Sequence, residues 1–470
     1  MANNKPQKRL NTLDILVVAF GAMIGWGWVV SSGQWILSGG VVGTAIGFVA
    51  GGFMIYFVGL CYAELTTSIP KSGGVLVFSY NAFGAVGAFI CTWSIILSYI
   101  GVVCYEAVSF PTILQYLFPD LLVGYMYSVN GFEVYISWIV VAELLAITIL
   151  ILNLLGAKTA ARFQKILTFA IAFVGIMLVV ASAFSGNIHN IESQAFIENS
   201  DGTVFQNIVR VAIMTPFFFF GFDVIPQAAE EINVPLKKIG KMMMLSITLA
   251  VLFYVLVVLS VGYIFNANEI QTSMETTGLV TADAMAKAFS SKNMAKILII
   301  GGMCGIVTSW NSFLLGGSRA IFSMASAKML PEFLSKNGKK FHTPIYALLL
   351  IGILSMIAPF LGKSMLIWIV DAGNFACCLA YCIVSISFLI LRKKKPELNR
   401  PYKVKYYRIV GSAAILMSGI MVGMYIIPGT NCTLVWQEWV IVGIWGILGL
   451  AFGIWSKWKY KKHFSSDLKV

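Results

Sequence analysis

Charge is what this chain has least of. Of 470 residues only 11% are Asp, Glu, Lys or Arg, against 59% hydrophobic, and the mean hydropathy is +0.85. Such a balance excludes an ordinary soluble domain and points to a helical protein that crosses a membrane several times. Catalytic signatures are equally scarce. There is no Gly-Lys-Ser/Thr phosphate loop and no HExxH, and the three histidines, His189, His342 and His463, lie outside the apolar stretches. The chain is therefore not read as an enzyme, and no ATP-driven step is expected from it alone. The eight cysteines supply no disulfide framework, because seven sit in or beside apolar stretches and Cys432, in an expected outer loop, has no evident partner. Acidic residues are also outnumbered, leaving a net charge of +13. The surplus lies between apolar stretches rather than in a patch, so it reads as an orientation signal and not as a nucleic-acid surface.

What is present is length and apolarity. Stretches long enough to span recur twelve times, at 14–38, 41–68, 84–118, 134–155, 164–185, 204–227, 242–265, 295–325, 344–361, 365–391, 409–427 and 436–456. An even number puts both ends on one side. Placing that side in the cytoplasm leaves only Arg210, Lys287, Lys292, Lys296 and Lys363 of the basic residues outside, so both termini are expected to be cytoplasmic in a multi-pass plasma-membrane protein. The N-terminal tail 1–13 is too short, and lacks the small-residue site, to make the first stretch a cleaved signal peptide.

Two spans are interrupted. The first carries GAMIGWGW at 21–28, with Gly21, Gly25 and Gly27 in mid-span. A helix broken there frees backbone N–H and C=O groups, which are tolerated at membrane depth only where protein or a wet cavity satisfies them. The alternative is close helix packing on small residues. The sixth span carries TPFFFFGFDVIPQAAEE at 215–231, where Pro216, Gly221 and Pro226 predict unwinding around 217–221. Two interrupted spans five apart, of opposite direction, predict an all-α membrane protein of two inverted five-span repeats, 14–185 and 204–391, followed by two further spans at 409–456 and a cytoplasmic tail at 457–470.

GAMIGWGW, YAEL at 62–65 with IPKSGG at 69–74, FFFFGFD at 217–223 with EEINVPLKKIGK at 230–241, and GGSRAIFSMASAKMLP at 316–331 together resemble the amino acid, polyamine and organocation transporter superfamily. The resemblance implies a leucine-transporter-like fold working by alternating access, with substrate held between the first and sixth spans. It assigns the site to Ile24, Gly25, Trp26 and Gly27, whose free N–H groups suit a carboxylate, and to Pro216, Phe217 and Phe219, whose freed carbonyls suit an ammonium. Phe217, Phe220 and Phe222 would line or close the side-chain pocket, or serve as plain core. Glu106 in the third span would face the pocket or lie near the outer surface.

Asp223 would brace the broken span. Glu64, Glu230, Glu231 and Arg319 would form a charge network or gate at the cytoplasmic face, or be ordinary interface residues. Asp371 belongs to a gate or a helix interface, and Glu143 to an interhelical contact. The basic cluster at 392–408 reads as an orientation signal with headgroup contact.

For a coupling ion, the lysine that serves proton-coupled relatives is replaced by Ile171. Gly21, Ile24, Thr308 and Ser309 instead offer an all-oxygen set for sodium, although Thr308 and Ser309 can equally bond their own preceding turn. No other cofactor is expected. The function read from these residues is secondary active transport of an amino acid, neutral more readily than charged, by symport or antiport. The alternatives are an organocation carrier for a polyamine, amino alcohol or betaine-like amine, which Trp26, Trp28 and Glu106 would suit, and a sensor or transceptor, against which the short tails count. The expected partners are a small molecule and the lipid bilayer, with no obligatory protein partner.

Overall fold

A computed structural model describes residues 10–198, 203–430, 432–461 and 468. The tail 1–9 with its three basic residues, and most of 462–470, lie outside the described residues.

Helix α1 (Thr12–Met23) starts on a capping box between Asn11 and Asp14 and ends at Ile24. The chain resumes as α2 (Gly27–Val30) and α3 (Ser32–Gly39), so the first span is broken at 24–26. Then come α4 (Val41–Ser68), α5 (Val75–Leu117), strands β1 (Tyr125–Val129) and β2 (Phe132–Tyr135), α6 (Ile136–Leu154), α7 (Ala157–Ser185) and the short α8 (Ile188–Ser193). The sixth span is α9 (Val204–Met214), a 3-10 turn over Thr215–Phe219, and α10 (Val224–Gln227). It is followed by α11 (Leu236–Ile264), α12 (Ala267–Thr276), α13 (Val280–Ala288), α14 (Lys292–Ser326), α15 (Ile345–Ile357), α16 (Gly362–Lys394), α17 (Tyr407–Ile426) and α18 (Trp436–Tyr460).

Among the described residues ten helices are long and apolar enough to cross a membrane, two fewer than expected. The difference has a local cause. The first span is divided by its break, and the ninth gives only α15 with a 3-10 turn over Ala358–Leu361, where Pro359 denies the last turn a donor. Two further expectations need correction. The fold is not purely helical, because β1 and β2 form an antiparallel hairpin at 125–135, turning through Asn130 and Gly131, both at positive φ. The third helix starts at Val75 rather than 84 and bends at Gly84, whose φ of 80° is closed to most residues.

Packing places the broken spans centrally. Helix α5 runs along α14 and α16, α4 along α11, and α1 lies against α7, α11 and α14. Helix α17 packs on α16 and α4, and α18 on α16 and α5. The interior is not wholly apolar: Asn153 donates to Asn311 (2.7 Å), Asn311 to Gln164 (2.8 Å), and Gln164 Nε2 to Ser312 Oγ (2.9 Å) and the Thr308 carbonyl (3.0 Å). Ser312 in turn donates to the Val18 carbonyl (3.0 Å). This chain of neutral groups ties α6, α7 and α14 to α1, where each bond is worth more than in water because the alternative is an unpaired dipole in a low dielectric.

Candidate functional site

At the first break the backbone departs from helix at Ile24 (φ −103°, ψ 81°). The N–H groups of Gly25 and Trp26 find no acceptor among the described residues. At the sixth-span break the 3-10 turn satisfies more of the backbone than expected. Pro216 suits its first turn, and the Phe217 carbonyl accepts the Phe220 N–H (3.3 Å). The carbonyls left free are therefore those of Phe218, Phe219 and Phe220, displaced from the expected Pro216, Phe217 and Phe219. Gly221, at φ +130°, turns the chain so closely past the first break that a Cβ there would stand 2.5 Å from the Ala22 Cβ. The two breaks are in direct contact.

Asp223 holds this turn. Its Oδ1 accepts the Gly221 N–H (3.0 Å) and the Tyr381 hydroxyl (2.7 Å), and its Oδ2 accepts the Tyr99 hydroxyl (2.5 Å). It meets hydroxyls and an amide, not a cation, and is fully buried. A carboxylate with three donors can be kept at this depth where an unpaired one would be costly.

A cavity of about 320 Å³ opens between the breaks, lined by Gly25, Trp26 and Gly27 of the first span, Phe217, Phe218 and Phe220 of the sixth, Tyr105 and Glu106 of α5, Tyr254 of α11, Ser309 and Phe313 of α14, and Asp371 of α16. Phe217 and Phe220 share a face because a 3-10 turn repeats every three residues, while Phe219, and Phe222 beyond the extended Phe220 and the positive-φ Gly221, take the opposite side. There Phe219 packs on Phe48 and Tyr254, and Phe222 on Tyr62 and Tyr381. Phe219 and Phe222 thus do not line the cavity, and neither do Ile24 and Pro216. Phe218, which sequence reasoning passed over, does: its ring faces Gly27 so closely that a Cβ there would be 2.5 Å from it. Its signal was present in the four-phenylalanine run, but the face each ring takes depends on the turn type.

Glu106 is buried beside Gly25, where an added Cβ would be 3.5 Å from Oε1. It lines the cavity with the Ser309 hydroxyl and has no cationic partner among the described residues. Next to Ser309 in the chain, Thr308 Oγ1 donates to the carbonyls of Gly21 and Gly305, both at 3.0 Å. The Ile24 carbonyl lies against Gly305, 2.7 Å from where a Cβ would stand. Close approach of α1 to α14 is possible only because residue 305 is glycine.

The charged residues divide into two clusters at the end of the molecule that bears Leu10. Arg319 makes a two-armed pair with Glu231, Nε to Oε1 at 2.7 Å and Nη2 to Oε2 at 3.3 Å. The chain at Leu10 bridges to the same segment, Leu10 N–H to the Glu231 carbonyl at 2.9 Å and Asn233 N–H to the Leu10 carbonyl at 2.8 Å. Glu64 joins neither; it takes Arg392 (2.6 Å), Arg400 (3.2 Å) and the Val404 N–H (2.7 Å). Glu230 makes no ion pair with a described residue. Part of the basic cluster at 392–408 is therefore turned inward onto Glu64 rather than outward to headgroups.

A family profile described as Amino acid permease matches residues 10–451. The chain is similar to a branched-chain amino acid permease, BcaP, of Bacillus subtilis (strain 168), with 27% identity covering 97% of this chain and 94% of that protein. It is also similar to a methylthioribose transporter of the same organism (25%, covering 93% and 92%) and to its aspartate–proton symporter (25%, covering 88% and 79%). With the profile spanning nearly the whole chain and membrane-crossing helices throughout, the protein belongs to the amino acid permease family and is a multi-pass membrane transporter.

Proposed function

We propose that the protein is a secondary active transporter that carries a zwitterionic amino acid with a neutral side chain across the cell membrane by alternating access, with both termini cytoplasmic. Twelve spans serve it, ten forming two inverted five-span repeats. The observation that carries this reading is the meeting of two broken spans at one aromatic cavity: N–H groups are free at Gly25 and Trp26, and carbonyls at 218–220. The first set suits a carboxylate and the second an ammonium, with Glu106 close enough to share the ammonium. The rings of Trp26, Phe217, Phe218 and Phe220 suit an apolar side chain.

The coupling ion in this reading is sodium, carried as a co-substrate by the carbonyls of Gly21, Ile24 and Gly305 with the hydroxyls of Thr308 and Ser309. What supports it is an all-oxygen set from two helices, a donor set suited to a hard cation. A second reading, an organic amine without a carboxylate, is favoured by Glu106 standing without a cationic partner beside Trp26.

Thermal unfolding of the purified protein with neutral amino acids, amines, polyamines and betaines, each in sodium and in potassium, separates these readings. A ligand at a hundred times its Kd adds roughly 2.7 kcal/mol to the native state. Stabilisation by neutral amino acids supports the first reading, and its sodium dependence supports the coupling. Stabilisation by carboxylate-free amines alone replaces the first reading with the second.

A further inference from the structure

A second cavity of about 320 Å³ lies behind Phe217, Phe218 and Phe220, between the 3-10 turn, α16, α17 and α18. Asp371 lines both cavities. Glu438 at the start of α18 and Asn374 one turn on line the second cavity with it, and the carboxyls of Asp371 and Glu438 face each other there. Two carboxyls sharing one enclosed pocket with no cationic side chain repel each other as anions, so the pair holds one proton between them and carries one negative charge, not two. Glu438 Oε2 also accepts the Val435 N–H (2.8 Å), which fixes the side chain at its helix start. Asn374 is 4% exposed, lines the cavity, and its Oδ1 has no partner among the described residues. Three acceptor groups thus converge on the cavity, and among the described residues no basic side chain lines it.

We propose that this cavity is a second binding site, for an organic ammonium group, in which the ammonium replaces the proton shared by Asp371 and Glu438. The ammonium donates to both carboxylates and to Asn374 Oδ1; the hydrogen bond between the carboxyls breaks, and its proton leaves to water. One positive charge enters as one departs, so the site's net charge is unchanged, which keeps the exchange affordable at this depth.

A bare divalent ion fits poorly, since calcium asks for roughly six to eight oxygens and the rest of the wall is largely Phe217, Phe218, Phe220, Tyr425 and methionines. Aromatic faces suit an alkylammonium. The other titratable groups facing the pair are Cys378 of α16, Tyr425 of α17, Cys432 of the loop before α18, and Tyr105 and Glu106 of α5 across the first cavity. The thiols and phenols ordinarily titrate above neutral pH, leaving the carboxyl pair to exchange the proton. The inference does not depend on which substrate occupies the first cavity.

The test is calorimetric titration of the full-length protein in lipid nanodiscs with n-butylammonium chloride, in two buffers of different ionisation enthalpy. The expected result is saturable binding with about one proton released per ammonium. Glu438→Gln, which retains the cap oxygen, should weaken binding by about tenfold or more and remove the proton release. Asn374→Ala should weaken binding while proton release per bound ammonium persists. Absence of butylammonium binding to the wild type overturns the proposal. So does binding that Glu438→Gln and Asn374→Ala leave unchanged, or binding lost only in Glu106→Gln, which would put the amine in the first cavity.

Discussion

Glu106 has its carboxyl beside Gly25, shares the cavity with Ser309, and has no cationic partner among the described residues. Glu106→Gln keeps the size and one acceptor but removes the charge. A lost charge-assisted hydrogen bond is worth about 1.5–3 kcal/mol, so the KM for uptake into proteoliposomes should rise roughly ten- to a hundredfold. An unchanged KM would remove Glu106 from the site. Asp223 should behave differently because its partners belong to the protein. Asp223→Ala strands the Gly221 N–H and the Tyr381 hydroxyl, each unsatisfied donor costing about 1–3 kcal/mol, while the Tyr99 hydroxyl keeps the residue-223 carbonyl (3.1 Å). The unfolding temperature should therefore fall sharply, whereas Asp223→Asn should recover part of it; equal melting of all three proteins would show that the turn does not lean on this carboxylate.

At the scale of the elements, the two breaks make different demands on their glycines. Gly221 combines positive φ with backbone contact: a Cβ would stand 3.0 Å from the Ala22 carbonyl carbon, and neither neighbour can yield without moving a helix end. Gly27 faces only the edge of the Phe218 ring, which can rotate. Gly221→Ala should abolish uptake, with about 1–3 kcal/mol of strain stored in the turn, while Gly27→Ala should narrow the cavity and select against larger side chains. Comparing uptake of a small and a large neutral amino acid by both variants checks this, and equal loss in the two would contradict it. The 3-10 turn and the bend after it decide the rest of the lining: the period of three puts Phe217 and Phe220 on the cavity and Phe219 in the core, and the bend at Gly221 takes Phe222 into the core.

For the whole molecule, the end bearing Leu10 holds the ion pair of Arg319 and Glu231, with the Leu10 bridge beside it, and the expected gate role of that pair can be tested. Both side chains are largely buried, so removing one leaves the other charge unpaired, at a cost of about 3–5 kcal/mol to the closed form. Arg319→Met should raise thiol labelling of Ser323→Cys, one turn away on α14, in a cysteine-depleted background; unaltered labelling would mean the pair does not lock that end. The proposed sodium coupling would also be a property of the whole, because α1 and α14 each supply only part of the oxygen set. Thr308→Val removes one hydroxyl and should abolish any gain in uptake from sodium over potassium. Uptake indifferent to sodium in the wild type would dispose of the coupling reading itself.

The membrane class, the basic-residue asymmetry and the positions of both breaks were fixed by local chemistry. Apolar runs, glycine without a Cβ and proline without an N–H act within a few residues, so they can be read along the chain. Which phenylalanines line the cavity, that Arg392 and Arg400 turn inward to Glu64, and that Asp371 meets Glu438 were decided by tertiary structure alone. Each depends on a turn type or on partners far apart in sequence, Glu64 and Arg392 being 328 residues apart. Single-residue propensity carries no record of such pairings; only the packed helices bring the partners within reach of one another.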